Sequence, residues 1–307
     1  MINDNASEKI IAYNDFVKNH VRFYFRPMTP TQYHNEGYKH PDFRFDDNKN
    51  ANITVPVFFL FDLQTMLESG QILFSDKTLA GYCPAPPTNG VENFARLPFD
   101  KIYSTNYFDD DARKFMQAEL ICPNEFVFAP SLENVVYYLQ GETLAGCLKK
   151  IVCRNEVEAR TLINLLRERD PALVAMYECL ITTEQEFPFK LFERNGLFIK
   201  NFYFDSVNGK TVIGINFSNT PSKQNYDNAK IRENSACESS GVNVKVQIQE
   251  IIAGRISPFV NNYSTTVNYH SPTNFYLSSL SSGLSQVKIY FDDHIAACVM
   301  CMYPSWW

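Results

Sequence analysis

The sequence predicts an α+β protein whose second half is richer in strands than its first. Three observations carry that prediction. The chain of 307 residues holds 25 Phe and 17 Tyr, side chains that suit a half-buried pleated surface. The run Val55-Pro56-Val57-Phe58-Phe59-Leu60-Phe61 is apolar on both faces, the pattern of a buried strand. An amphipathic helix over residues 155–170, with Asn155 and Glu158 at capping-box spacing and Pro171 at its end, separates a mixed amino-terminal region from one dominated by alternating strands. The expected organisation is a domain over residues 1–153, a linking helix over 154–174 and a β-rich domain over 175–307.

In chain order, a short helix is expected around Ser7–Lys18, with Ile10, Ile11 and Phe16 on its apolar side. Val21–Pro27 then alternates, placing Arg22, Tyr24 and Arg26 on one face of a strand and Val21, Phe23 and Phe25 on the other. The turn Pro27-Met28-Thr29-Pro30 follows, and residues 38–52 read as an exposed polar loop. After the buried strand, Asp62 is placed to cap a helix running to Glu68. Ile72–Phe74 is a further strand, and residues 77–112 read as an irregular loop of unusual length. Short strands are expected at Phe126–Phe128 and Leu148–Val152. Beyond the helix at 155–170, strands are expected over Leu197–Phe204, Thr211–Phe217, Val242–Ile252 and Gln286–Phe291, with a hairpin turn at Asn208-Gly209. Ser218–Ser240 reads as a loop, and the tail His294–Trp307 as a segment that docks on the core.

A formal net charge of −6 argues against a protein that coats nucleic acid through a generally cationic surface, and leaves room for a local basic cleft. The eight cysteines lack paired spacing apart from Cys298-Val-Met-Cys301, which suits buried free thiols in a reducing compartment better than zinc or disulfides. The amino terminus shows no secretory signal and no apolar run approaches a membrane span, so a cytoplasmic protein without membrane contact is expected.

One carboxylate stands out. Glu119 opens the apolar run Glu119–Cys122, which is stopped by Pro123, so the residue is either turned to solvent by strand alternation or held in a cleft where its charge is used. The two arginines Arg22 and Arg26 on one strand face either clamp a diphosphate bidentately or make cross-strand ion pairs. No P-loop, dinucleotide-binding glycine motif or metal-ligand constellation is present in the sequence.

The run Val21-Arg22-Phe23-Tyr24-Phe25-Arg26-Pro27 with Thr29, Pro30 and Tyr33, the buried strand after it, and Gln117-Ala118-Glu119 between a basic and an apolar stretch together resemble the DarT-type ADP-ribosyltransferases. The similarity covers roughly residues 15–153. It implies an ADP-ribosyltransferase fold, a split and twisted mixed sheet with NAD in its central cleft. It implies transfer of ADP-ribose from NAD to a base of single-stranded DNA, with a macrodomain antitoxin that removes the mark, and it implies that Glu119 is the catalytic carboxylate. Strand facing then puts Arg22, Tyr24 and Arg26 along the NAD cleft. Position puts Arg113 and Lys114, with the loop 77–112, beside the acceptor DNA.

Two features depart from the family pattern. The segment bearing an early histidine and a catalytic arginine ahead of the Tyr-Phe strand is not found before Val21, and Ser75-Asp76-Lys77-Thr78 lacks a histidine expected nearby. The alternative is a catalytically inactive relative that binds nucleotide or nucleic acid.

Overall fold

The structure, a computed structural model, describes residues 20–41, 44, 52–68, 72–79, 86–109, 116–123, 148–207, 210–218, 241–278, 283–302 and 305–306. Its contacts divide the chain into two compact units, one of residues 1–33 and 59–151, the other of residues 34–58 and 152–307. The expected helix at Ser7–Lys18, the strand at Phe126–Phe128, the turn at Asn208-Gly209 and nearly all of Ser218–Ser240 lie outside the described residues.

The first unit is built on β1 (His20–Tyr24). This strand stops three residues short of the expected Pro27, because the chain bends after Phe25, whose N–H still reaches the Ala118 carbonyl at 3.3 Å, and Met28 takes a left-handed φ of 67°. Helix α1 (Pro30–Asn35) then begins with proline at a position where no N–H is needed. Thr29 Oγ1 accepts from Gln32 N at 3.2 Å while Gln32 Oε1 accepts from Met28 N at 2.7 Å, a capping arrangement that makes the turn rigid. Strand β2 (Val57–Phe61) leads into α2 (Leu63–Glu68), capped as expected by Asp62, whose Oδ1 accepts from Thr65 N at 2.8 Å. Strand β3 (Leu73–Ser75) follows. Within the expected loop 77–112 stand two short helices, α3 (Val91–Ala95) and α4 (Phe99–Ile102). Strands β4 (Glu119–Pro123) and β5 (Leu148–Cys153) come next.

Strands β1, β4 and β3 form a three-stranded antiparallel sheet with β4 in the centre. One of its faces is apolar: Phe23 lies opposite Leu120, which lies opposite Phe74. Leu120 and Cys122 pack there with Met66, Ile72, Phe61, Leu63 and Leu67, so the sheet is held against α2. A chain of aromatic rings, Phe74 to Phe94 at 5.3 Å and Phe94 to Phe99 at 5.2 Å, fixes α3 and α4 to the same sheet. An opposed pair in an antiparallel sheet shares a face, so the other face carries Tyr24, Glu119 and Ser75 in one row and Arg22, Ile121 and Leu73 in the next.

The second unit begins with residues read from sequence as part of an exposed loop. Tyr38 and Lys39 are buried instead. Tyr38 pairs with Leu197 through two backbone hydrogen bonds, and the Cα atoms of Gly37 and Gly196 meet there, an approach in which a Cβ on Gly196 would lie 2.8 Å from Gly37. Helix α5 (Glu156–Arg169) starts where expected, with Asn155 accepting from Glu158 N at 3.0 Å. The Glu158 carboxylate does not return the cap to Asn155; it takes the buried guanidinium of Arg154. Pro171 both ends this helix and opens α6 (Pro171–Tyr177).

Strands β6 (Ile181–Thr183), β7 (Ile199–Val207), β8 (Lys210–Phe217), β9 (Gly241–Ile252), β10 (Arg255–Ile256), β11 (Asn261–Asn268), β12 (Phe275–Ser278), β13 (Leu284–Phe291), β14 (His294–Met302) and β15 (Ser305–Trp306) complete the unit. One sheet runs β12-β8-β7, and another runs β10-β9-β13-β14-β15 with β11 also on β9. The alternation of β9 buries Val242, Val244, Val246 and Ile248, which share one core with Phe202, Ile213, Ile215 and Phe217 from the other sheet. The tail expected to dock on the core is itself a core strand, β14, tied to α5 by Cys298 N to Thr161 Oγ1 at 3.0 Å and Asn164 Nδ2 to the Cys298 carbonyl at 2.9 Å.

Candidate active site

Glu119 is the first residue of the central strand of the amino-terminal sheet and is fully buried. Its carboxylate is engaged from two sides. From β1, Arg22 Nε donates to Oε2 and Arg22 Nη2 donates to Oε1, both at 2.7 Å, a bidentate fork. From the turn after β3, Thr78 Oγ1 and the Leu79 N–H donate to Oε1 at 2.8 and 3.1 Å. The sheet makes this possible: β1 and β4 are antiparallel, so the long arginine side chain spans diagonally from its own partner Ile121 to the carboxylate one row away. Of the two readings open at the sequence level, solvent or cleft, the first is excluded for Glu119; Arg22 forms the cross-strand ion pair.

Tyr24 sits directly opposite Glu119 in the register, on the same face, and is 37% exposed. Arg22 is 17% exposed at its side chain, so Tyr24 and Arg22 form the open rim of an otherwise enclosed carboxylate. Arg26, expected on that face, lies beyond the end of β1. Its Nη1 donates to the carbonyls of Ile102 and Ser104 at 2.9 and 2.7 Å, which ties the end of α4 to the strand. Arg113 and Lys114 lie outside the described residues. Sequence reasoning missed Thr78 and Leu79 as partners of Glu119. The nearest signal was the short polar run Ser75-Asp76-Lys77-Thr78 directly after a strand, whose register against Glu119 no local pattern reveals.

Cys153, Cys298 and Cys301 are buried, and burial pushes each up to about 12. Cys298 and Cys301 face opposite sides of β14, the first towards Glu168 and the second into the core, so the C-x-x-C spacing closes no disulfide. Among the described residues no three His, Cys, Asp or Glu side chains are grouped as a metal ion requires, and no helix is long and apolar enough to cross a membrane.

The amino-terminal unit is thus of the α+β class, with one buried, arginine-forked carboxylate on its central strand and a tyrosine at the rim. Residues 3–137 match the model of the family described as DarT, ssDNA thymidine ADP-ribosyltransferase. No curated protein and no solved structure matches the chain. Residues 138–307 fall outside the family match.

Proposed function

We propose that this chain transfers ADP-ribose from NAD to a thymidine base of single-stranded DNA and releases nicotinamide. The observation that carries the reading is Glu119: within the segment that matches the family, a carboxylate is buried on a central strand and oriented by both nitrogens of one guanidinium face. In the reaction the bond from ribose C1′ to nicotinamide breaks and a bond from C1′ to the base forms, while the base gives up a proton. Positive charge develops on the ribose as the first bond breaks. A fixed carboxylate that accepts from the ribose 2′-hydroxyl stabilises that charge without having to reorganise. Arg22 and Tyr24 line the NAD cleft, Arg26 supports it through the segment 97–109, and Arg113 and Lys114 meet the phosphates of the acceptor strand. The sheet is taken as one part of the split mixed sheet of an ADP-ribosyltransferase. The same reading makes the protein a cytoplasmic toxin opposed by a macrodomain antitoxin.

The test is to incubate the protein with labelled NAD and single-stranded oligonucleotides that contain or lack thymidine. Label on the thymidine-containing DNA, absent with Glu119→Ala, is the expected result. A folded wild-type protein that labels neither oligonucleotide overturns the assignment. The second reading is a relative that binds NAD without turnover; heat of NAD binding in calorimetry, with no transfer, would select it.

A further inference from the structure

The donors to Glu119 are unevenly divided. Oε1 accepts from Arg22 Nη2 at 2.7 Å, Thr78 Oγ1 at 2.8 Å and the Leu79 N–H at 3.1 Å, whereas among the described residues Oε2 accepts from Arg22 Nε alone, at 2.7 Å. A carboxylate offers roughly two lone-pair directions per oxygen. Oε1 is therefore saturated, and Oε2 is the oxygen with capacity to accept once more. An arginine fork fixes the carboxylate in its own plane, and a second set of donors from another direction fixes how that plane is set against the sheet.

That second set comes from a braced turn. Ser75 lies opposite Glu119 in the β3–β4 register, and its Oγ accepts from Lys77 N at 3.2 Å, so the turn bearing Thr78 is tied to the strand beside the carboxylate. Leu79 is 1% exposed and anchors the far side of the turn. Thr78 is half-buried, and its hydroxyl donates to the enclosed Oε1.

We propose that Thr78 is a positioning residue: its hydroxyl, with the Leu79 N–H, holds Oε1 of Glu119 so that Oε2 is presented to the ribose hydroxyl of the substrate. This rests on the reading of Glu119 as the catalytic carboxylate. The hydroxyl acts through Glu119, so its removal weakens the chemical step and leaves ground-state binding of NAD largely as it was.

The experiment compares wild type with Thr78→Val, Thr78→Ser and Glu119→Ala, all confirmed folded by circular dichroism, and measures kcat and KM for NAD in transfer to a thymidine oligonucleotide. Valine keeps the shape of threonine and removes the donor. Losing one hydrogen bond to a charged acceptor corresponds to a fall in kcat of roughly 10- to 100-fold. Thr78→Val is expected to show that fall with KM for NAD within about threefold of wild type, while Thr78→Ser stays within about threefold of wild type in both. Wild-type kcat in Thr78→Val overturns the proposal, as does a Thr78→Ser protein as impaired as Thr78→Val, which would assign the effect to the methyl group. Active wild type with dead Glu119→Ala and unchanged Thr78→Val removes this proposal alone. Wild type that transfers no label, or Glu119→Ala that transfers as well as wild type, removes the reading of Glu119 and this proposal with it.

Discussion

At the scale of single residues, Arg22 and Glu119 form a buried ion pair across two strands. The carboxylate has no exposed surface and the guanidinium little, so the charges are held in a region of low effective dielectric. Removing one partner of such a pair leaves a buried charge uncompensated, at a cost of about 3–5 kcal/mol. Arg22→Ala is therefore expected to lower the stability of the amino-terminal unit by that order and to abolish transfer, read by urea unfolding and by the labelled-NAD assay. Arg22→Lys keeps the charge but cannot make both bonds of the fork. It is expected to recover a substantial part of the stability while transfer remains depressed.

Lys39 is the second residue with a measurable signature. Its ammonium is buried and donates to the carbonyls of His34 and Glu36 at 2.9 and 3.0 Å. Burial pushes it from 10.5 down to about 7, with Glu36 opposing that shift and Arg154 reinforcing it. Between those values the unfolded chain binds the proton and the folded chain does not, so this group makes stability rise with pH from about 7 to about 10.5. Below that window the full cost of burying the cation stands. Lys39→Met is expected to flatten this rise, measured as the difference in urea midpoint between wild type and variant across pH 7 to 10. Parallel curves would contradict the burial of the ammonium.

Legibility at this scale followed the range of the contact. An apolar run flagged Glu119 and strand alternation flagged Arg22, and the structure joins them as an ion pair. Thr78 was not flagged, since its contact with Glu119 spans 41 residues and depends on a turn that no periodicity describes.

At the scale of elements, alternation and capping did what sequence arguments ask of them. Asp62 and Asn155 cap the helices they precede, and β9 buries every second residue along Val242–Ile248. Burial of residues 38–39 was illegible for a physical reason. Lysine is a surface residue type, and inside this unit carbonyls at the end of α1 converge on the Lys39 ammonium. The same crossing makes a demand that composition does not advertise. Gly196 tolerates no Cβ because the Gly37 backbone lies within 2.8 Å of where it would stand, and backbone cannot swing aside as a side chain can. Gly196→Ala is expected to destabilise the second unit by about 1–3 kcal/mol, the range of overpacked sites, seen as a lowered unfolding midpoint. An unchanged midpoint would mean that the two backbone segments are not in contact. In β8, by contrast, the atoms nearest to a Cβ on Gly214 would be those of the Tyr203 side chain, which can shift where backbone cannot, so Gly214→Ala is a less stringent probe.

At the scale of the whole molecule, the sequence placed its first boundary after residue 153, and the contacts divide the chain after 151. What sequence order could not convey is that residues 34–58 leave the amino-terminal unit and join the later one. Tyr38 belongs to the core of that unit, and the Glu36 carboxylate accepts from the N–H groups of Glu193 and Arg194 at 2.8 Å each. A fragment of residues 152–307 therefore lacks part of its own core and is expected to remain unfolded or aggregate, whereas the full chain folds. Dispersed amide resonances from that fragment alone would contradict this division. The strand content of the second half was foreseen from aromatic and β-branched runs; the shared core of its two sheets was not, because alternation shows which face is buried and never what buries it.

If Glu119 is a working carboxylate and not merely half of a buried ion pair, its charge is required for transfer. The most direct measurement is transfer from labelled NAD to thymidine-containing single-stranded DNA by wild type and by Glu119→Gln, which keeps the shape and the capacity to accept but loses the charge. Label on DNA with wild type and a loss of at least about a hundredfold with a folded Glu119→Gln protein is the predicted result. Equal labelling by the two proteins, or none by folded wild type, would contradict the account.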